Sequence, residues 1–85
     1  MHSFSTWIDN CNPEKIIDYY SSLLLSSGFG IESIQEKYFQ PYGYTALFLL
    51  SESHFAVHTF PEESKTYIEL SSCVKVPFDN FIKSL

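Results

Sequence analysis

The stretch Tyr44-Thr45-Ala46-Leu47-Phe48-Leu49-Leu50-Ser51-Glu52-Ser53-His54-Phe55-Ala56-Val57-His58-Thr59-Phe60 decides the fold of this chain. From Tyr44 to Leu50 it is a continuous apolar run, the pattern of a strand covered on both sides. From Ser53 to Phe60 it alternates, with His54, Ala56, His58 and Phe60 on one face and Phe55, Val57 and Thr59 on the other. Pro61-Glu62-Glu63-Ser64 then ends the strand.

Working outward, Pro41-Tyr42-Gly43 marks a turn, and Ile31 to Phe39 before it reads as a strand with Glu32, Glu36 and Lys37 on a solvated face. Downstream, Lys65 to Cys73 gives another strand. There Ile68, Leu70 and Ser72 face opposite to Tyr67, Glu69, Ser71 and Cys73. Near the start, Ser3 to Ile8 sets Phe4, Thr6 and Ile8 against Ser5 and Trp7, as a half-buried strand does. Asn12-Pro13-Glu14 reads as helix cap, first helical position and acidic first turn. The helix it opens carries Ile16, Ile17, Tyr20, Leu23 and Leu24 on one face, and Gly28 ends it. A short helix from Pro77 to Lys83 closes the chain. The order β-α-β-β-β-β-α predicts an α+β fold, an antiparallel sheet with helices packed on one face.

With 85 residues and 9.8 kDa there is room for one small domain, residues 1–85, whose core a second copy would enlarge. A hydrophobic share of 45% against 18% charged excludes a disordered tail. Aromatics are in excess: eight Phe, six Tyr and one Trp, side chains suited to interfaces or stacking as well as to cores. Net charge is −5 and all five basic residues are Lys, which argues against nucleic acid and against an anionic membrane surface. A cationic small molecule remains compatible. Cys11 and Cys73 lie far apart, with neither CxxC nor metal-ligand spacing, so no metal is expected. The opening Met1-His2-Ser3 leads straight into alternating residues rather than a signal peptide. The longest apolar stretch, Ala46 to Leu50, is too short to span a bilayer. A reduced, cytoplasmic protein is the expectation.

Ser51-Glu52-Ser53-His54, followed by His58-Thr59-Phe60-Pro61-Glu62 and then Cys73, resembles the hallmark of the prokaryotic S-adenosylmethionine decarboxylases. These are pyruvoyl-dependent proenzymes. Phe39, Pro41, Gly43 and Thr45 fit the family's strand before its cleavage point, and His2 with Asp9-Asn10-Cys11-Asn12-Pro13-Glu14 resembles its first strand and helix start. The resemblance implies self-cleavage between Glu52 and Ser53, giving residues 1–52 and 53–85, with Ser53 becoming a pyruvoyl group that forms a Schiff base with a substrate amine. It further implies His58 as the processing base, Thr45 as a hydroxyl supporting processing, and Cys73 as the proton donor after CO₂ leaves. Phe39 and Phe60 match ring positions around the adenine, and Glu62 an acidic residue on the ribose. The implied product is decarboxylated S-adenosylmethionine for polyamine (spermidine) synthesis, made in a homodimer with sites near the subunit interface.

The sequence also departs from the pattern. The family's Trp is Phe60, the segment after Glu62 reads Glu63-Ser64-Lys65-Thr66-Tyr67-Ile68-Glu69, the Gly after the family Cys is Val74, and the C-terminus stops early. Ornithine or arginine as substrate, by the same chemistry, is one alternative; a non-catalytic, unprocessed homologue acting as a binding or regulatory partner is another. Each residue singly has an ordinary reading. Ser53 alone is a hydroxyl at a strand start, and Cys73 alone is a small buried hydrophobe. Phe39 and Phe60 alone are core or interface rings, and Cys11 is structural. His54 and His58 on one face would suit zinc, but no third ligand stands at a usable spacing. A serine hydrolase would need a nucleophile elbow that is absent. Only the combination of Ser53, His58 and Cys73 points to the pyruvoyl chemistry.

Overall fold

A computed structural model describes residues 1–85 in full. The elements are β1 (His2–Ile8), α1 (Pro13–Ser27), β2 (Ile31–Tyr38), β3 (Tyr44–Leu50), β4 (Ser53–Phe60), β5 (Lys65–Ser72) and α2 (Lys75–Lys83), with a single 3₁₀ turn at Pro61–Glu63. The strands form one antiparallel sheet in the order β1-β5-β4-β3-β2, with β4 at its centre. The expected α+β class and order of elements are therefore observed.

Local chemistry sets the ends of α1. The Asn12 side chain accepts the Lys15 N–H at 3.0 Å and Pro13 occupies the first turn. At the other end Gly28 takes φ 111°, a left-handed conformation that glycine adopts without a Cβ clash. Its N–H and that of Phe29 then close onto Leu25 and Leu24 carbonyls at 3.1 and 3.0 Å. Ile16, Tyr20 and Leu24 recur every four residues and are all buried; Ile17 and Leu23 flank them. α2 starts at Lys75, two residues before Pro77, because a proline in the first helical turn gives up an N–H that has no partner there.

Both helices pack on the same face of the sheet, against Ala46, Phe48, Phe55, Val57, Ile68 and Leu70. Much of the aromatic excess lies in this layer. Phe55 stands 5.3 Å from Tyr20, 5.4 Å from Phe48 and 5.9 Å from Phe81, ring centre to ring centre. Tyr44 is also buried here and its hydroxyl donates to Glu36; burial, then that carboxylate, pushes its phenol well above the usual range.

The expectation that Tyr44–Leu50 is covered on both sides is not met. Tyr44, Ala46, Phe48 and Leu50 are buried, whereas Leu47 and Leu49 are 51% and 57% exposed. With both helices on one face, the second face of β3 has nothing over it. That open face also carries Trp7 and Tyr67, together with His54, Ala56 and His58 of β4.

Candidate active site

β3 and β4 are joined by two residues, Ser51 and Glu52, because Leu50 pairs directly with Ser53. Glu52 is left-handed at φ 61°, a conformation costing roughly 1 kcal/mol for a residue with a Cβ. Three contacts hold the turn in it. The Ser51 N–H donates to the Gly30 carbonyl at 3.0 Å, and the Ser51 hydroxyl to Glu32 at 2.7 Å. A Cβ on Gly30 would lie 2.9 Å from the Ser51 Oγ, so glycine permits this approach. The third contact is chemically the most telling: the Cys73 N–H donates to the Glu52 carbonyl at 3.1 Å. That carbonyl belongs to the peptide bond preceding Ser53.

The Ser53 side chain points to the helix-covered face, where its hydroxyl donates to the Ser72 Oγ at 2.7 Å. Ser72 follows from the register, since Ser53 and Ser72 are direct cross-strand partners. The Cys73 side chain is exposed just beyond β5, which corrects its single-residue reading as a buried hydrophobe. Ser53, Cys73, Glu52, His54 and Leu49 line a recess of about 430 Å³.

Thr45 and His58 face each other across β3 and β4 on the open side of the sheet, Oγ1 to Nδ1 3.1 Å, with the Tyr67 ring stacked 6.4 Å from the imidazole. Together with Phe39, Tyr42, Phe60 and Glu62 they line a second cleft of about 310 Å³. The Pro41–Gly43 turn brings Phe39 over this cleft, closed by the Phe39 N–H on the Gly43 carbonyl at 2.8 Å. The Phe60 ring leans on Trp7 at 5.7 Å, and Lys65 covers the other part of that indole.

The expected residues therefore form two groups. Ser53, Glu52 and Cys73 meet at one end of β4; Thr45, His58, Phe39, Phe60 and Glu62 meet at the other. Five residues along a strand separate Ser53 from His58 by roughly 17 Å, and an odd offset points them to opposite faces. Within one chain, His58 is too far from Ser53 to take its proton. Ser72 was not singled out in the sequence beyond its place on the Ile68–Leu70 face, although a small polar residue in such a core-facing row is a usable signal. No group of three or more His, Cys, Asp or Glu is arranged to hold a metal ion, and His54 stands exposed without a partner.

Residues 8–85 match the family model described as S-adenosylmethionine decarboxylase. The chain belongs to that family. The S-adenosylmethionine decarboxylase proenzyme 2 of Bacillus cereus is 47% identical over 47 residues, 55% of this chain and 38% of that protein. The S-adenosylmethionine decarboxylase proenzyme of Brevibacillus brevis is 44% identical over 46 residues, 54% of this chain and 35% of that protein. The crystal structure of adenosylmethionine decarboxylase from Aquifex aeolicus VF5 superposes with a TM-score of 0.64 at 23% identity, covering 87% of this chain and 65% of that one, a likeness of fold. These matches reach over less than two thirds of each relative's length. As a member of the S-adenosylmethionine decarboxylase family, the chain falls within a family of decarboxylases. No helix in it is long and apolar enough to cross a membrane.

Proposed function

We propose that this chain is a proenzyme that cuts itself between Glu52 and Ser53 and then, paired with a second copy, decarboxylates S-adenosylmethionine. The observation carrying this reading is the Cys73 N–H on the Glu52 carbonyl at 3.1 Å, beside the buried Ser53 hydroxyl and on a left-handed turn. An N–H already bonded to that oxygen stabilises the negative charge that develops there when a hydroxyl attacks. The Ser53 Oγ attacks the Glu52 carbonyl carbon, the C–N bond breaks, and the hydroxyl proton ends on the Ser53 nitrogen, leaving an ester. Loss of the Ser53 α-proton expels Glu52 as a carboxylate. Water then releases ammonia and leaves a pyruvoyl group at the head of residues 53–85.

The residues around Ser53 fit such a group: Cys73 lines the same recess and is exposed, which supports its thiol as the source of the proton needed after CO₂ departs. When formed, the pyruvoyl carbonyl supplies the electron sink for decarboxylation. Glu62 and the Phe39 and Phe60 rings share a cleft suited to a ribose and an adenine, and a net charge of −5 suits a sulfonium.

The two separated groups support the second copy. Two sheets meeting through their open faces, about a two-fold axis that lies between them and crosses the strands, would set each Ser53–Cys73 end against the partner's Thr45–His58 end. Leu47, Leu49 and Trp7 give that face the apolar area an interface needs. Intact mass measurement tests the processing: two fragments with a blocked second chain support it, and an intact chain with Ser53 unchanged overturns it in favour of a non-catalytic homologue. Ser53→Ala remains whole, folded and inactive. Carbon dioxide released separately from S-adenosylmethionine, ornithine and arginine tests the substrate; release from only one of the two basic amino acids overturns the assignment.

A further inference from the structure

Ser72 is fully buried, and its hydroxyl has all three hydrogen-bonding capacities filled. It donates its own proton to the Val74 carbonyl at 3.1 Å, accepts the Val74 N–H at 3.0 Å, and accepts the Ser53 hydroxyl at 2.7 Å. Because its single proton is committed to Val74, the Ser53–Ser72 bond has a fixed direction: Ser53 donates. No buried side-chain polar atom of the chain lacks a partner, so no competing acceptor is waiting for that proton. The Val74 contacts also tie Ser72 to the segment that carries Cys73, the residue whose N–H bonds the Glu52 carbonyl. One short segment, Ser72 to Val74, thus binds both the hydroxyl and the carbonyl that must react with each other.

We propose that Ser72 is a positioning residue for self-cleavage: as acceptor for the Ser53 hydroxyl, it fixes the rotamer from which Oγ attacks the Glu52 carbonyl carbon. This rests on the processing reading above. A hydroxyl that donates into the core keeps its lone pairs for the carbonyl carbon. Without the acceptor, Ser53 samples its other staggered rotamers and the attacking geometry becomes a minority state. Bond making and breaking are those of the acyl shift; Ser72 neither gains nor loses a proton over the step.

The test compares wild type, Ser72→Ala and Ser72→Thr for the rate of chain cleavage, read by intact mass, with circular dichroism checking the fold. Each is also incubated with hydroxylamine, which cuts an ester at 52/53 but leaves the amide. Ser72→Ala is expected to cleave roughly 10- to 100-fold more slowly and to resist hydroxylamine, because the ester does not accumulate. Ser72→Thr, which keeps the hydroxyl, restores cleavage. Should the alanine variant fail to fold, Ser72→Cys provides the same comparison with a weak acceptor of similar size. Cleavage of a folded Ser72→Ala or Ser72→Cys at the wild-type rate overturns the role of Ser72 alone. So does hydroxylamine cutting of a slow variant to the wild-type extent, since the acyl shift would then proceed without the acceptor. A wild-type chain that stays whole and resists hydroxylamine overturns the processing reading, and the role of Ser72 with it.

Discussion

A mixture of two inactive variants gives the sharpest test of how the site is assembled. Ser53 and His58 stand roughly 17 Å apart on opposite faces of β4, against the ~3 Å that proton transfer requires. No rotamer closes that gap, so a processing role for His58 acts on another chain's Ser53. His58→Ala and Ser53→Ala, each expressed alone, should then remain uncut. Co-expressed in equal amounts with tags of different mass, they assort at random and about half of the dimers are mixed. In every mixed dimer of the proposed arrangement the intact Glu52–Ser53 end of the His58→Ala chain lies against the strand end that carries the other chain's intact His58. About half of the His58→Ala chains should therefore be cut at 52/53, and none of the Ser53→Ala chains. Intact mass resolves all four products. Full cleavage of His58→Ala alone refutes any processing role for His58. Mixed dimers in which neither chain is cut refute the sharing of sites across open faces.

Other outcomes follow from single contacts. In Cys73→Ala the backbone N–H on the Glu52 carbonyl survives, so cleavage should proceed while turnover falls on the order of 100-fold; wild-type turnover would remove the thiol from the chemistry. Phe81, fully buried against Phe55 and Tyr20, should cost about 3–5 kcal/mol when changed to Ala, measured by urea unfolding, and a loss below about 1 kcal/mol would contradict the packing. Tyr44 holds its proton more tightly folded than unfolded, so the unfolded chain ionises first. Stability is thus complete below pH ~10 and falls as pH rises past it. Tyr44→Phe should flatten that alkaline fall in a pH series of unfolding curves; an unchanged slope would assign it to other groups.

What was legible in the sequence and what was not divide along a physical line. Alternation in Ser53–Phe60 and Lys65–Ser72 separates the two faces of each strand, because one face meets the helices and the other does not. The cap at Asn12 and the stop at Gly28 were readable because each depends on one side chain or its absence. Tyr44–Leu50 misled because Leu47 and Leu49 are as apolar as Phe48 and Leu50, and periodicity carries no signal where both faces are greasy. That same error has a physical content. β3 is apolar on its uncovered side as well, and it places Leu47 and Leu49 on the face that also bears Thr45 and His58. The motif Ser53 to His58 looked like one local site because its residues are close in number. A strand converts that closeness into distance: an offset of five reverses the face and carries the second residue about 17 Å away. The proposed pairing would account for both the greasy open face and the divided motif: a second sheet laid against the first would cover Leu47 and Leu49 and bring a partner's His58 to the Glu52–Ser53 end of β4.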